Sequence, residues 1–385
     1  MIPPFLVLYD KPGKIKIEMY LKAFLLSFFL SLFLTFLVKF LAFKFSLFDQ
    51  TGERKIHKFP TPRIGGIAIF LAFLISVFLF LPISFRFWIS PIFVSRKHVG
   101  GLILGAILIF LIGLIDDLLI SLGINKKGLS PWIKLFFQFI SAIIIVSFGI
   151  GIDFLTNPFG GLLFLDQIKL PINLFGITYH FVLFADLLSI LWILVIVNVV
   201  NFLDGIDGLA TGVGIIGSGV IFLLSILPHV NQPLSAILAI ILLGALLGFF
   251  PFNFPFPSRS KIFLGDSGAY FLGFVLAVLA IISGAKLATV FLVLGLPIFD
   301  GIWTIGSRIK RKISPFKAGK DHFHHKLLSL GLSTSQILLF FYFISALFGL
   351  IALISNSFQK FVALGILLIS LTIIMIFVSR KIARD

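Results

Sequence analysis

Apolar runs of about 20 residues alternate with short polar segments along this chain, and the alternation occurs eleven times. A helix needs about 20 apolar residues to cross a hydrocarbon layer roughly 30 Å thick. The runs predict spanning helices over roughly 21–43, 64–85, 99–117, 132–150, 182–202, 208–227, 234–252, 267–284, 287–306, 336–355 and 360–379. The first run begins near Leu21 and is too long for the h-region of a cleavable signal peptide. The longest stretches without such a run are 44–63, 151–181 and 307–335, and Pro60, Pro62, Pro251, Pro255 and Pro257 mark places where helix gives way to loop. No repeat and no separate soluble domain is visible. The chain therefore reads as a single integral-membrane domain over 1–385, an all-α polytopic fold of about eleven helices.

Polar composition orients that fold. Of the 31 Lys and Arg, 20 fall in the segments after spans 1, 3, 5, 7 and 9, in the C-terminal tail or at the span ends beside them, against 10 on the opposite side. The richer side is expected to be cytoplasmic. The N-terminus is thus expected outside and the C-terminus inside, in a multi-pass plasma (inner) membrane protein. A charged fraction of 12% and 59% hydrophobic residues exclude an ordinary soluble domain, which carries about 25% charge. The net charge of +16 sits in short loops rather than in one patch, which argues for topology and lipid attraction and against nucleic acid. With no cysteine, disulfides and thiolate metal sites are excluded.

Five of the 15 acidic residues cluster at the ends of apolar runs: Asp116-Asp117 in GLIDDL, Asp204 and Asp207 in NFLDGIDGLA, and Asp266 in IFLGDSGAY. A carboxylate next to hydrocarbon is costly unless paired, hydrated or bound to metal, so such positions are functional candidates. An even number of crossings separates the clusters, which places all three on one face, and the Lys/Arg asymmetry makes that face cytoplasmic. Adjacent helical side chains point about 100° apart, so Asp116 and Asp117 can serve two partners, a metal and a second substrate. No basic residue lies near them in the sequence. In NVVNFLDGIDG, Gly205 and Gly208 allow a tight turn; if the segment is helical instead, the three-residue spacings of Asn198, Asn201, Asp204 and Asp207 put acceptors on one face. They suit a base or ribose, although Asp207 could equally cap span 6. Asp266 could be a helix cap or a Mg²⁺ ligand, since Mg²⁺ takes oxygen donors from one or two carboxylates plus phosphates and water. Phe263 could stack on a base or face lipid. His322, His324 and His325 crowd DHFHHKL; they could hold zinc, but the absence of cysteine and the phosphate-type residues elsewhere favour imidazoles that donate to a phosphate or a leaving group. Lys310, Arg311, Lys312, Lys317 and Lys320 near them read as cytoplasmic anchors. Lys58 and Arg63 bracket the Pro60–Pro62 turn, after which Gly65 and Gly66 could admit a phosphate to the amides opening span 2.

Taken together, these motifs resemble the polyprenyl-phosphate N-acetylhexosamine-1-phosphate transferases, a family that includes the undecaprenyl-phosphate N-acetylglucosamine-1-phosphate transferases and the phospho-N-acetylmuramoyl-pentapeptide transferases. The resemblance covers about residues 45–335. It implies a cytoplasmic cleft, Mg²⁺ (with Mn²⁺ able to substitute), a UDP-N-acetylhexosamine donor, a polyprenyl phosphate acceptor and release of UMP. A homodimer is compatible with it. By the resemblance, Asp266 is a metal ligand, and Asp116 and Asp117 serve metal or lipid-phosphate activation, Asp116 in the metal set. His324 and His325 are the catalytic loop histidines, with His322 at the substrate. Asn198, Asn201, Asp204 and Asp207 form the nucleotide site, Phe263 stacks on uracil, and Lys58 and Lys134 lie near the diphosphate. The His-x-His-His spacing is similar to the N-acetylglucosamine branch; the pentapeptide branch usually carries three consecutive histidines followed by Phe-Glu. Relatives often have Asp-Arg where this chain has Gly319-Lys320, which replaces a two-pronged phosphate contact with a point charge. A cation- or proton-coupled transporter is the rival from another class. It would place charge near span midpoints and broken helices in related halves; here the motif carboxylates lie at span ends, only Asp186 and Asp300 reach into spans, and no halves repeat.

Overall fold

The computed structural model describes residues 17–48, 61–81, 96–174, 177–255, 261–284, 287–314 and 321–382. Helices occupy all eleven expected positions: α1 (Ile17–Lys44), α2 (Gly66–Phe80), α3 (Arg96–Ser121), α4 (Pro131–Ser147), α5 (Leu183–Leu203), α6 (Leu209–Ile226), α7 (Pro233–Asn253), α8 (Gly265–Ile282), α9 (Leu287–Val293) with α10 (Gly295–Lys310), α12 (Thr334–Ile354) and α13 (Ser357–Ile382). Eight are long and apolar enough to cross a membrane singly, and α9 and α10 pass only as a pair bent by 78°. The expected ninth straight span is therefore broken at Leu294–Gly295. With 15 and 17 residues, α2 and α4 reach only about 22 and 25 Å.

Two features were not visible in the hydropathy pattern. The 151–181 segment holds two antiparallel hairpins, β1 (Phe154–Thr156) with β2 (Leu162–Phe164), and β3 (Lys169–Leu174) with β4 (Ile177–Val182). The histidine segment forms a short helix, α11 (Phe323–Ser329).

Helix α8 is the hub: nearly every residue from Gly265 to Ile281 is buried, and α2, α3, α5, α6, α7 and α9 pack around it. Small residues allow the close approaches. A Cβ at Gly113 of α3 would lie 2.5 Å from the Ser267 Cα, and one at Gly248 of α7 would meet the Phe28 carbonyl of α1. Ser31 of α1 donates to the Ala245 carbonyl at 2.6 Å. Without a hydrophobic force between helices in lipid, such backbone-to-backbone packing and interhelical hydrogen bonds supply cohesion. Helices α1 and α13 turn Phe, Leu and Ile outward, as helices against acyl chains do.

Candidate active site

The site is assembled on the N-terminus of α8. Gly265 has φ 76°, and a Cβ there would lie 2.6 Å from the Asp117 Oδ2, so the turn requires glycine on both counts. Helix α8 has no side-chain cap of its own. Asp117, fully buried on α3, supplies it from outside. Its Oδ1 accepts the Asp266 amide at 3.0 Å, and its Oδ2 accepts the Ser267 amide at 2.9 Å and the Ser267 hydroxyl at 2.7 Å. Arg63 Nε donates to the same Oδ1 at 3.0 Å. A carboxylate at a helix N-terminus satisfies amides that lack intrahelical partners and opposes the positive end of the dipole. Asp117 and Asp116 thus do diverge, but the second partner of the pair is the start of α8.

Asp116 faces the other way, toward α4. Ser130 caps α4 by accepting the Ile133 amide, and Pro131 occupies its first turn, which sets Lys134 on the side facing α3 and α8. Lys134 Nζ lies 2.8 Å from Asp116 Oδ2 and 2.7 Å from Asp266 Oδ2, while Asp116 Oδ1 accepts the Leu129 amide. Asp266 Oδ1 accepts Arg63 at 3.2 Å and Asn201 at 3.4 Å. Both carboxylates of the pair lie inside α3, one turn before its end at Ser121, and both are fully buried. Their basic partners come from 54 and 18 residues away in the chain.

Oxygen atoms of Asp116, Asp117 and Asp266 lie within 4.8 Å of one another. The donor set is all oxygen, which suits Mg²⁺ rather than a soft metal. Within it the three are not equivalent. Asp117 accepts four donors, whereas Asp116 Oδ2 and Asp266 Oδ2 share the Lys134 ammonium. That ammonium supplies the positive charge between Asp116 and Asp266.

The nucleotide-type motif lies at the end of α5 and in the following turn. Asp204 terminates α5, and Gly208, with φ 81°, rather than Asp207, occupies the N-cap position of α6. Asn253 ties the turn down: its Oδ1 accepts the Gly208 amide at 3.0 Å and Thr211 Oγ1 at 2.7 Å, and its Nδ2 donates to the Ile262 carbonyl at 3.1 Å. Tyr342 Oη donates to the Gly208 carbonyl at 2.6 Å. Asp204 and Asp207 are both half-buried. Burial first, then the charges of Asp207, Asp266 and Asp117, hold the Asp204 carboxyl well above the usual carboxylate range despite Arg63. Asn198 donates to Gln138 of α4 at 2.7 Å, linking α5 to the helix that carries Lys134. Phe263 is half-buried beside the GDS turn, and its backbone pairs with Pro62 and Gly65. The phosphate role considered for Gly65 and Gly66 does not hold: their amides donate to the Phe263 and Leu264 carbonyls at 3.0 and 2.9 Å. Lys58, Lys317 and Gly319-Lys320 lie outside the described residues.

The histidines pack onto the same turn. His324 is buried against Gly205, where a Cβ would sit 2.6 Å from its Nε2, and neither of its ring nitrogens has a hydrogen-bond partner among the described residues. Burial, reinforced by the neighbouring His325 and His322, drives its basicity well below the ordinary histidine value, so His324 is neutral. The His322 ring lies 4.9 Å from Phe202 and stacks parallel to His324 at 5.8 Å, and the His324 and His325 rings are 4.4 Å apart. Arg308 and Arg311 grip Asp321 at 3.0 and 3.1 Å, so Arg311 is more than a membrane anchor. Burial would raise the Asp321 carboxyl, but the two guanidiniums outweigh it and lower it.

The structure therefore brings Asp116, Asp117, Lys134, Asn201 and Asp266 into one hydrogen-bonded cluster, and seats the histidine arm on the adjoining 202–205 turn. Sequence reasoning did not single out Gln138, Asn253 or Ser267, noted Asp300 only as an acid within a span, and gave Arg63 no partner. A signal existed for Asn253, the one amide in the apolar PFNFPFP, and for Asp300, an acid inside a span.

The family model described as Glycosyl transferase family 4 matches residues 99–284, which include the Asp116, Asp204 and Asp266 motifs. A Bacillus subtilis (strain 168) protein named "Probable undecaprenyl-phosphate N-acetylglucosaminyl 1-phosphate transferase" is 32% identical, over 86% of this chain and 83% of its own. The decaprenyl-phosphate N-acetylglucosaminephosphotransferase of Mycobacterium leprae (strain TN) is 30% identical, over 75% of this chain and 72% of its own. A phospho-N-acetylmuramoyl-pentapeptide-transferase from Staphylococcus epidermidis (strain ATCC 12228 / FDA PCI 1200) is 28% identical, over 81% and 90%.

Proposed function

Because this chain belongs to glycosyl transferase family 4, we infer that it transfers N-acetylglucosamine 1-phosphate from a UDP-sugar to a polyprenyl phosphate, with release of UMP. The observation that carries this reading is the convergence of Asp116, Asp117 and Asp266 with Lys134 and Arg63 on one helix start. Three carboxylates and two basic groups match a reaction between two phosphate-bearing substrates. The His-x-His-His spacing supports the N-acetylglucosamine branch over the pentapeptide branch.

In this reading a lipid phosphate oxygen attacks the β-phosphorus of the UDP-sugar, a new P–O bond forms, and the bond to UMP breaks. A phosphate monoester has a second pKa of about 6 and is largely dianionic at neutral pH. It needs no base, and the residues here act mainly by positioning and by charge. The four donors on Asp117 support direct attack, since its lone pairs are already engaged. Lys134 and Arg63 hold the acidic cluster in register and can exchange those carboxylates for substrate phosphates. The neutral His324 can give one ring hydrogen to a substrate oxygen, which would satisfy a buried nitrogen now without a partner. Asp116 and Asp266 would hold a Mg²⁺ ion, which would supply neutralisation of the diphosphate charge. The Lys/Arg asymmetry supports a cytoplasmic site in the plasma membrane, with the N-terminus outside.

Purified protein in detergent with undecaprenyl phosphate should release UMP from UDP-N-acetylglucosamine in preference to UDP-N-acetylmuramoyl-pentapeptide. Preferential use of the pentapeptide donor would overturn the branch, and no release from either would overturn the reaction. Asp266→Asn should abolish transfer and weaken Mn²⁺ binding measured by electron paramagnetic resonance; unchanged Mn²⁺ binding would remove Asp266 from the metal set.

A further inference from the structure

Helix α10 carries a buried polar row on its inner face, Asp300, Thr304 and Arg308, at four-residue spacing, while Ile302 and Ile309 point outward. An aspartate inside an apolar helix is expensive unless its oxygens are satisfied. Those of Asp300 are satisfied by the histidine arm. Its Oδ1 accepts the Phe323 amide at 2.7 Å, the first helical amide of α11, and its Oδ2 lies 3.0 Å from His322 Nδ1. Thr304 Oγ1 stands 3.5 Å from Oδ1. Arg308, one turn further along α10, holds Asp321. Three consecutive residues of the arm, 321 to 323, are therefore held by one face of α10.

Two of these contacts bear on chemistry. Helix α11 has no side-chain cap from its own N-cap residue, so Asp300 supplies its first acceptor. A carboxylate that already accepts an amide takes the imidazole as a donor, which puts the hydrogen on His322 Nδ1 and leaves Nε2, on the far side of the ring, for another partner. The ring is then fixed between Phe202 and His324, which bears on the 202–205 turn through Gly205.

We propose that Asp300 is a positioning residue for the transfer reaction: it sets the orientation and tautomer of His322 and seats the histidine arm on the 202–205 turn. The kinetic part rests on the transferase reading above; the tautomer part does not.

The test is Asp300→Asn, alone and with His322→Ala. The amide oxygen still accepts the Phe323 N–H, but the amide nitrogen now donates to Nδ1 and drives the ring hydrogen to Nε2. Loss of a residue that orients a functional imidazole costs about 10–100-fold, and we expect kcat to fall in that range with KM for the lipid little changed. The double variant should be no slower than His322→Ala, because Asp300 acts through that ring. Losses that multiply, or an Asp300→Asn kcat within about twofold of wild type, would overturn the proposal. If Asp300→Asn does not fold, Asp300→Ser, too short to reach His322, goes through the same cycle. Independently of activity, ¹⁵N-histidine NMR of the intact protein identifies His322 as the signal missing in His322→Ala. That signal should report Nδ1–H in wild type and Nε2–H in Asp300→Asn. No change between them would overturn the tautomer assignment, and this comparison alone decides where His322→Ala has no measurable turnover. A wild-type protein that transfers nothing, yet shows the tautomer change, would refute the transferase reading and leave the Asp300–His322 pair standing.

Discussion

Asp117→Ala separates two roles for the aspartate pair, because only one of them is structural. The substitution leaves the Asp266 and Ser267 amides, the Ser267 hydroxyl and the Arg63 Nε without their acceptor. Each buried donor left unpaired costs about 1–3 kcal/mol. Ser267 can rotate its hydroxyl and Arg63 keeps Asp266, so the two amides and the weakened ion pair dominate, at about 3–5 kcal/mol in total. Charge argues the other way only weakly. Arg63 attracts the buried Asp117 carboxylate while burial and Asp266 oppose its charge, which offsets only part of the hydrogen bonding lost. Asp116→Ala is milder, because Lys134 retains Asp266 and only the Leu129 amide loses its acceptor. The assay is the apparent melting midpoint in detergent at one fixed scan rate, since unfolding of such a protein is not a reversible two-state process. Asp117→Ala should melt on the order of 5–10 °C below wild type, and below Asp116→Ala. A midpoint within about 2 °C of wild type, or above that of Asp116→Ala, would refute the capping role.

Gly205→Ala places a Cβ 2.6 Å from the His324 Nε2, so the ring must leave the turn; we expect at least a tenfold loss of turnover by UMP release, and full activity would show that His324 is not seated there. His324 is also an acid-sensitive element. Its folded-state pKa is depressed, so below about pH 6.5 the unfolded chain binds the extra proton and stability falls as pH drops, by up to about 1.4 kcal/mol per pH unit. The midpoint of wild type should therefore fall between neutral and mildly acidic pH by more than that of His324→Leu, and identical slopes would contradict the assignment. Topology can be read with single cysteines, because the chain has none. Ser329→Cys, at an exposed position, should react with an impermeant reagent only in inverted vesicles, and labelling from outside intact cells would reverse the orientation.

Helix number and placement were legible because hydropathy is a one-dimensional property: a run of about 20 apolar residues has no other low-energy state in a membrane than a helix. The three acidic motifs were legible for a related reason, since charge beside hydrocarbon is rare enough to stand out. What those acids do was decided only in three dimensions. Asp116 and Asp117 have no basic neighbour in the chain, yet Arg63 and Lys134 reach them across helix interfaces. That one carboxylate caps α8 while the other shares an ammonium depends on how α3 meets α8 at Gly113 and Ser267. In the sequence Asp207 could equally be a cap or a ligand; in the fold Gly208 takes the N-cap position of α6, and Asn253, from another helix, accepts its amide. The 78° break between α9 and α10 falls at Leu294–Gly295, where Pro297 has no amide to give the Val293 carbonyl, but hydropathy takes no account of such a proline and runs straight through it. Asp300 illustrates the same limit, for a buried acid is identifiable in the sequence but its partner is not. Long-range pairing depends on which helix faces meet, and that follows from packing the whole bundle rather than from any local pattern.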